Sequence, residues 1–368
     1  MKITDVTLTL FAWEGLPTIS YHVVQKAGQK HDLGLLTIST DEGIEGHAFL
    51  GKVIEPGSSD AAGLIRYLKP ALMGQDPLQR ERLYHAIWRR SRLATIRAIG
   101  AVDVALWDIA GKAANMPIHR LLGSYREKIP AYCSSDHLPH PEAYAEEAIA
   151  FKERGWHAYK IHPAGHWRED IAICEAVRKA VGDDFTLMLD STFLYDFPAA
   201  MRVGRAIEEM DFYWYEDPLG DHDIYNYKKL KEKLDIPIMA TERPIAGFDS
   251  YAIWVTERAT DYLRGDVAIK GGITSLVKTA HLAEAFAMNY EVHVGGNSIN
   301  NLANLHVELA IRNTEFHEIL MPETAAVYGL LNEPMVDREG YIHPPEGPGL
   351  GAEIDFDLIK SKTIAVLS

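Results

Sequence analysis

Three stretches of the chain place a carboxylate directly after apolar and β-branched residues: Met188-Leu189-Asp190, Tyr215-Glu216-Asp217-Pro218 and Ala240-Thr241-Glu242. Glu216 lies 26 residues after Asp190, and Glu242 lies 26 residues after Glu216. This interval is about the length of one strand, one helix and two loops in a repeating β/α unit. Carboxylates at the same height on three successive parallel strands would converge at the carboxyl end of a barrel, where such folds carry their chemistry.

The chemistry of these three side chains indicates a metal site. Oxygen ligands with no Cys or His among them favour Mg²⁺ over zinc, with Mn²⁺ as an alternative. Acidic residues also follow strands simply because loops are polar, so the alternative is that all three are solvated loop residues. Their common spacing favours the metal, and we predict that Asp190, Glu216 and Glu242 bind one divalent cation.

Composition bounds the class of protein. The chain has 368 residues, 47% hydrophobic and 24% charged, which suits a large barrel with a second, smaller domain. Only two cysteines are present and the charged start, Met1 to Val6, does not resemble a secretion signal, so we expect a cytoplasmic protein without disulfides. A net charge of −15 without a Lys/Arg cluster argues against nucleic acid and membranes. We therefore expect a small-molecule partner.

The first 125 residues have the pattern of an α+β domain. Strand patterns cover residues 1–11, 34–40 and 43–51, and helical patterns cover 60–72, 78–91 and 96–115. Two loops, residues 18–22 and 48–55, mix aromatic, polar and glycine residues as a lid over a pocket would. They fit ordinary surface loops equally well.

Residues 126–322 alternate short apolar runs with amphipathic helical segments, which is typical of parallel strands with helical crossovers. Eight runs are strand candidates: 129–134, 158–162, 186–191, 212–217, 236–242, 266–270, 290–294 and 316–320. Eight such strands close into a barrel. Residues 323–368 are a Pro- and Gly-rich tail without an eighth crossover helix in the usual position, and we expect this tail to pack on the first domain.

Candidate catalytic side chains stand on strands at either side of the carboxylates. Lys160 and His162 share one strand face by the period of two, so Lys160 is expected to bind a substrate carboxylate and His162 to act as a base. Asp266, expected to begin the sixth strand, and His293, expected to end the seventh, would form a dyad that orients the imidazole. The alternatives are that Lys160 pairs with an acidic neighbour, that His162 caps a loop, and that His293 is only a polar loop residue.

A further set of polar residues follows the expected strands. Glu318 on the last strand is placed to reach a developing oxyanion, and if protonated it would donate a hydrogen bond. Substrate-binding candidates are Thr192, Arg243 and Lys270, of which Lys270 would share the strand face of Asp266. Arg243 and Lys270 could equally form structural ion pairs.

Together these residues favour one reaction, the removal of a proton α to a carboxylate. The negative charge that develops needs a divalent cation and Lys160 nearby. His162 and His293, on opposite faces, would then decide the outcome. Reprotonation of the enediolate inverts the carbon, whereas loss of a β-hydroxyl dehydrates the substrate.

With these residues in place, the sequence resembles the mandelate racemase subgroup of the enolase superfamily. The resemblance also includes the stretches Ala101 to Lys112 (AVDVALWDIAGK), Leu121-Leu122-Gly123 and Gly271-Gly272-Ile273-Thr274. It implies a (β/α)7β barrel, an N-terminal α+β capping domain completed by the C-terminal tail, Mg²⁺, and a homo-oligomer, either a dimer or an octamer. It also implies that the capping loops around Tyr21, His22 and Lys52 determine specificity.

One departure from the family pattern is Lys160-Ile161-His162, where Lys-X-Lys is usual. Because most subgroup members resemble acid-sugar dehydratases, and the lid candidates are polar, we expect an aldonate or aldarate to be converted into a 2-keto-3-deoxy acid. A racemase or epimerase, a lactone cycloisomerase, and a non-catalytic sugar-acid binding relative are the alternatives.

Overall fold

The structure, a computed structural model, describes residues 1–16, 31–243 and 247–368. The chain begins with three antiparallel strands, β1 (Ile3–Trp13), β2 (His31–Thr40) and β3 (Glu45–Leu50). The helices that follow are α1 (Ser58–Gly63), α2 (Lys69–Leu72), α3 (Arg80–Trp88), α4 (Ile96–Ala114) and α5 (Ile118–Leu122), with a π-helical turn at Leu64–Leu68. Alternate residues of β1, including Val6, Leu8 and Leu10, are buried, so one face of the sheet packs against these helices.

Eight parallel strands form an almost closed barrel. They are β4 (Ile129–Ser134), β5 (Ala158–Ile161), β6 (Thr186–Asp190), β7 (Tyr215–Glu216), β8 (Ile238–Ala240), β9 (Tyr262–Gly265), β10 (Asn289–Val292) and β11 (His317–Leu320). The connecting helices are α6 (Pro141–Glu153), α7 (Trp167–Val181), α8 (Phe197–Glu209), α9 (Ile224–Lys231), α10 (Ala252–Thr256), α11 (Ile273–Ala285) and α12 (Ser298–Ala310). Neighbouring strands pair in the order β10-β9-β8-β7-β6-β5-β4-β11. Across the described ranges, no helix has the length and apolar character needed to cross a bilayer.

The tail after β11 returns to the N-terminal sheet. It contains β12 (Tyr341–Ile342), which pairs antiparallel with β4, then α13 (Phe356–Lys362) and β13 (Thr363–Leu367). Strand β13 pairs antiparallel with β1, with Leu367 opposite Leu8. The predicted (β/α)7β barrel with a capping domain completed by the C-terminal tail is therefore confirmed. The domain boundaries after residues 125 and 322 remain predictions.

The sixth barrel strand is Tyr262–Gly265, so its predicted position at residues 266–270 is wrong. Arg264 interrupts the apolar run of this strand in the sequence, yet its side chain is fully buried inside the barrel. Asp266 instead follows the strand, where its Oδ1 accepts hydrogen bonds from the backbone N–H groups of Ala268 and Ile269. Asp266 and Lys270 therefore lie in a turn and do not share a strand face.

Helix α4 joins the capping domain to the barrel. Asp103 is buried, and its two carboxylate oxygens accept from the backbone N–H (2.8 Å) and the hydroxyl (2.7 Å) of Thr274 at the start of α11. Trp107 donates to the same hydroxyl at 2.9 Å. Asp108 accepts from the backbone N–H groups of His47 and Leu350, each at 3.0 Å. The AVDVALWD stretch thus ties the cap to both the barrel and the tail.

Candidate active site

The three carboxylates of equal spacing meet at the carboxyl end of the barrel. Asp190 ends β6, Glu216 ends β7, and Glu242 lies two residues beyond β8. One oxygen of each lies within 4.8 Å of an oxygen of each of the others. Asp190 and Glu216 are buried and Glu242 is mostly buried, with 12% of its side chain exposed.

The donor set fits a hard divalent cation. All three groups are carboxylates, which Mg²⁺ and Mn²⁺ prefer. Ionisation of these carboxyl groups is also unfavourable: burial raises the pKa of Glu216 to about 7, against the opposing effect of Arg264. Burial, with Glu242 as the next cause, also raises the pKa of the adjacent Asp217 well above its usual range. A cation bound between these side chains would relieve that repulsion.

A cavity of about 360 Å³ opens onto this site and is shared by the barrel and the cap. Its lining includes the metal-site candidates Asp190 and Glu242, the predicted catalytic residues Lys160, His162, His293 and Glu318, and from the cap Lys52, Ile54, Glu55 and Arg97. The structure therefore brings residues from both domains to one pocket. Glu55 belongs to the predicted lid loop 48–55, whereas Arg97 has no predicted role.

His162 is held in one orientation by two contacts. Its Nδ1 lies 2.7 Å from the carbonyl oxygen of Ser135, and its Nε2 lies 2.8 Å from Oδ2 of Asp190. A carbonyl oxygen only accepts hydrogen bonds, so Nδ1 carries a proton. The Asp190 carboxylate is also an acceptor, so Nε2 carries a proton while it makes this contact. Nε2 is the nitrogen through which His162 can exchange a proton, and it can accept one only when it no longer donates to Asp190.

His293 contacts Asp266, as the predicted dyad requires. Its Nδ1 lies 2.5 Å from Oδ2 of Asp266, and its Nε2 lies 3.7 Å from Oε1 of Glu242. Burial disfavours the imidazolium, but Glu242 and Asp266 outweigh burial and raise the pKa of His293. The carboxylate partner fixes the ring and leaves Nε2 on the metal side of the pocket.

Lys160 and Glu318 are embedded in an ion network on the barrel floor. The Lys160 Nζ lies 2.9 Å from Glu216 Oε2, 2.7 Å from Glu318 Oε1 and 3.5 Å from Asp190 Oδ2. Burial opposes ionisation of Glu318, but Arg264 and Lys160 hold its pKa well below the usual range. The expected protonated form of Glu318 is therefore wrong: this carboxylate is an acceptor, because two cations bond it.

Arg264 is the functional candidate that the sequence reasoning missed. Its guanidinium pairs with Glu216 and lies 2.5 Å from Glu318 Oε2. The available signal was a single arginine inside the short run Tyr262-Leu263-Arg264-Gly265. An arginine in a barrel strand, two residues before a candidate catalytic Asp, needs buried acidic partners.

The predicted substrate-binding residues fall into three groups. Lys52, Thr192 and Arg243 line the cavity. Lys270 is buried with its Nζ 4.9 Å from the ring centre of Tyr251, and burial lowers its pKa to about 8. Tyr21 and His22 lie outside the described residues.

Two family comparisons match most of the chain. The mandelate racemase / muconate lactonizing enzyme N-terminal domain matches residues 6–123, and the enolase C-terminal domain-like family matches residues 143–358. The chain belongs to the enolase superfamily. As the motifs predicted, this superfamily member falls in the mandelate racemase subgroup.

Several characterised proteins resemble this enolase superfamily member over nearly its whole length. Arabinonate dehydratase of Saccharolobus solfataricus is 28% identical over 369 residues, 96% of each chain. D-galactarolactone cycloisomerase of Agrobacterium fabrum is 28% identical over 348 residues, 88% of this chain and 89% of that protein. The crystal structure of D-glucarate dehydratase from Agrobacterium tumefaciens complexed with magnesium has a TM-score of 0.89 and 33% identity, covering 99% of this chain and 100% of that one. The predicted family and enzyme class are confirmed.

Proposed function

We propose that this protein is an acid-sugar dehydratase. It removes the proton α to the carboxylate of an aldonate or aldarate and expels the β-hydroxyl as water, which gives a 2-keto-3-deoxy acid. The observation that carries the proposal is a pocket that is lined by two members of the carboxylate triad, Asp190 and Glu242, and by two oriented histidines, one directly after β5 and the other directly after β10. The dehydratases among the relatives support it.

Asp190, Glu216 and Glu242 would hold Mg²⁺, or Mn²⁺ in its place. When bound, the ion supplies positive charge that stabilises the substrate carboxylate as it gains negative charge. Lys160, at hydrogen-bond distance from this triad, adds a second positive charge on the same floor. The Lys160 ammonium is buried, and electrostatic stabilisation by a buried charge is stronger than in water.

The two histidines divide the proton transfers. His162, whose Nδ1 proton bonds a neutral carbonyl, takes the α-proton at Nε2 once Asp190 turns to the cation and Nε2 no longer donates to it. The C–H electrons form the enediolate, and their return breaks the C–O bond to the β-hydroxyl. His293, whose Nδ1 faces the Asp266 carboxylate, delivers a proton from Nε2 to the leaving hydroxyl, which departs as water. The enol product then tautomerises to the 2-keto acid.

A second function, isomerisation, is favoured by the cycloisomerase among the relatives and by the presence of two proton-transfer groups. The same pair would racemise or epimerise a substrate if His293 reprotonated the α-carbon. A cycloisomerase would open or close a lactone through the same enediolate. These outcomes differ in the product, not in the residues that remove the proton.

The test is a library of mono- and diacid sugars incubated with enzyme and Mg²⁺ in D₂O and followed by proton NMR. We expect loss of the C2 proton together with the signals of a 2-keto-3-deoxy acid for at least one substrate. Exchange or inversion at C2 without keto acid would contradict dehydration and support isomerisation. Thermal stabilisation by sugar acids without any turnover would contradict both and support a binding protein.

We also propose that the protein works in the cytoplasm as a homo-oligomer, a dimer or an octamer. Its two cysteines, Cys133 and Cys174, are free and buried, which suits a reducing compartment.

The exposed apolar side chains of Leu331 and Met335, 67% and 71% exposed, suit contact with a second copy. Light scattering after size-exclusion chromatography gives the number of chains, and a monomeric mass would contradict the proposal.

A further inference from the structure

Alternate barrel strands contribute four charged side chains to one buried layer. Lys160 comes from β5, Glu216 from β7, Arg264 from β9 and Glu318 from β11, and each is at most 1% exposed. In barrels of this type, four side chains from alternate strands normally form an apolar layer. Here the layer consists of two bases and two acids, and we call it the floor ring.

The floor ring is closed by direct contacts in both directions. Lys160 Nζ lies 2.9 Å from Glu216 Oε2 and 2.7 Å from Glu318 Oε1. On the opposite side, Arg264 Nε pairs with Glu216 Oε1, and Arg264 Nη2 lies 2.5 Å from Glu318 Oε2. Each carboxylate therefore gives one oxygen to each cation. The fork of the guanidinium suits this task because its donors are fixed relative to one another.

Neighbouring hydroxyl groups bond both the backbone and the side chain of Arg264. Its backbone N–H donates to the Thr241 hydroxyl at 3.0 Å, and its carbonyl accepts from the Tyr251 hydroxyl at 2.8 Å. The Tyr132 hydroxyl accepts from Nη2 at 3.2 Å. The adjoining cluster is aromatic and aliphatic, containing Tyr132, Ala158, Met188, Trp214 and Met239. Among these cluster residues only Tyr132 accepts from the guanidinium, whose charged partners are Glu216 and Glu318.

We propose that Arg264 is a positioning residue: by bonding Glu216 and Glu318 together, it fixes the Glu216 carboxylate in the triad and fixes the Lys160 ammonium between the same two acids. The inference rests on the proposed metal site. Without Arg264, two buried carboxylates would share one cation, and Glu216 would turn toward Lys160 and away from Asp190 and Glu242. A lysine at position 264 would retain the charge but not the two-way bridge.

The test is the affinity of the full-length protein for Mn²⁺, measured by electron paramagnetic resonance without substrate. The variants are R264Q and R264K, with R178Q as the matched control. Arg178 is also a buried arginine, but it lies on α7 and donates to the backbone carbonyls of Met210, Gly182, Phe185 and Asp211. We expect both Arg264 variants to bind Mn²⁺ about 10- to 100-fold more weakly, and R178Q to bind it as the wild type does.

Wild-type affinity in R264Q and R264K would overturn the positioning role and leave the dehydratase proposal standing. Full recovery of affinity in R264K alone would also overturn it, since charge without the bridge would then suffice. A wild-type protein that binds no Mn²⁺ would overturn both proposals. Circular dichroism checks folding, and R264K, which retains the charge and most of the volume, decides the outcome if R264Q does not fold.

Discussion

Nδ1 of His293 lies 2.5 Å from Oδ2 of Asp266, although 27 residues separate them in the chain. Asp266 is itself fixed by backbone N–H groups in the turn after β9, so the imidazole is oriented by a group that cannot easily move. The other active-site histidine, His162, has a backbone carbonyl in the equivalent role. This difference is the basis for assigning the two histidines different parts in the reaction.

Replacing His293 by asparagine should lower kcat by roughly 10²- to 10⁴-fold, because a positioned acid is removed from the expulsion step. Mn²⁺ binding should remain nearly intact, and exchange of the C2 proton with D₂O should persist since His162 is unchanged. Proton NMR and Mn²⁺ titration measure these quantities. Unchanged turnover would refute the assignment of His293.

Replacing His162 by asparagine should instead abolish both C2 exchange and product formation, because the base that breaks the C–H bond is lost. The measurement is made at saturating metal, since Nε2 of His162 also contacts Asp190 at 2.8 Å. If C2 exchange continued at the wild-type rate, the base would have to be another group.

Replacing Glu216 by glutamine should weaken divalent-metal binding, because a charged oxygen ligand becomes neutral. Isothermal titration with Mg²⁺ or Mn²⁺ measures the loss. The exposed Glu257, paired with Lys228 at 2.7 Å, is the control, and E257Q should bind metal normally. Normal affinity in E216Q would remove Glu216 from the ligand set.

Stability should fall below about pH 6.5 because of His306. Its Nε2 lies 3.0 Å from the Leu350 carbonyl, its Nδ1 accepts from the backbone N–H of His119, and burial lowers its pKa to about 4. In the unfolded chain the His306 imidazole is protonated as the pH falls through about 6.5, whereas in the folded chain it is protonated only near pH 4. The contribution of His306 to the free energy of unfolding is therefore complete above about pH 6.5. It decreases as the pH falls from about 6.5 to about 4, by at most about 1.4 kcal/mol per pH unit.

Urea denaturation between pH 7 and pH 4.5 measures how steeply the free energy of unfolding changes with pH. His306→Asn should have a shallower slope than the wild type, whereas the exposed His85, with 60% of its side chain accessible, should have no influence when replaced by asparagine. Equal slopes for the wild type and H306N would contradict the assignment.

Asp103 should stabilise the interface between the capping domain and the barrel. Replacing it by alanine removes two hydrogen bonds and leaves the buried Thr274 N–H without its acceptor, which should lower the free energy of unfolding by about 1–3 kcal/mol. Thr274→Val removes the hydroxyl bonds but leaves the backbone bond in place, so its loss should be smaller. Equal losses for D103A and T274V would contradict this ranking.

The sequence predicts the fold and the carboxylate triad correctly because both depend on the regular repeat of β/α units along the chain. Equal spacing of Asp190, Glu216 and Glu242 predicts equal height in a β/α barrel, and the structure brings their oxygens within 4.8 Å. The absence of an eighth crossover helix predicts that the tail packs on the first domain, the family resemblance implies the same, and the structure pairs β13 of the tail with β1.

The floor ring could not be predicted from the sequence because it consists of ion pairs between side chains on different barrel strands. Arg264 interrupts the apolar pattern of β9, so the pattern predicts this strand four residues too late and puts Lys270 on the wrong element. The ionised state of Glu318 follows from Arg264 and Lys160, neither of which is near it in the sequence. Local patterns do not encode such contacts.

Anomalous X-ray diffraction from a crystal soaked in Mn²⁺ tests the central claim most directly. We predict one strong anomalous peak per chain, in contact with carboxylate oxygens of Asp190, Glu216 and Glu242. No peak at that position, or a peak only at other residues, would contradict the account.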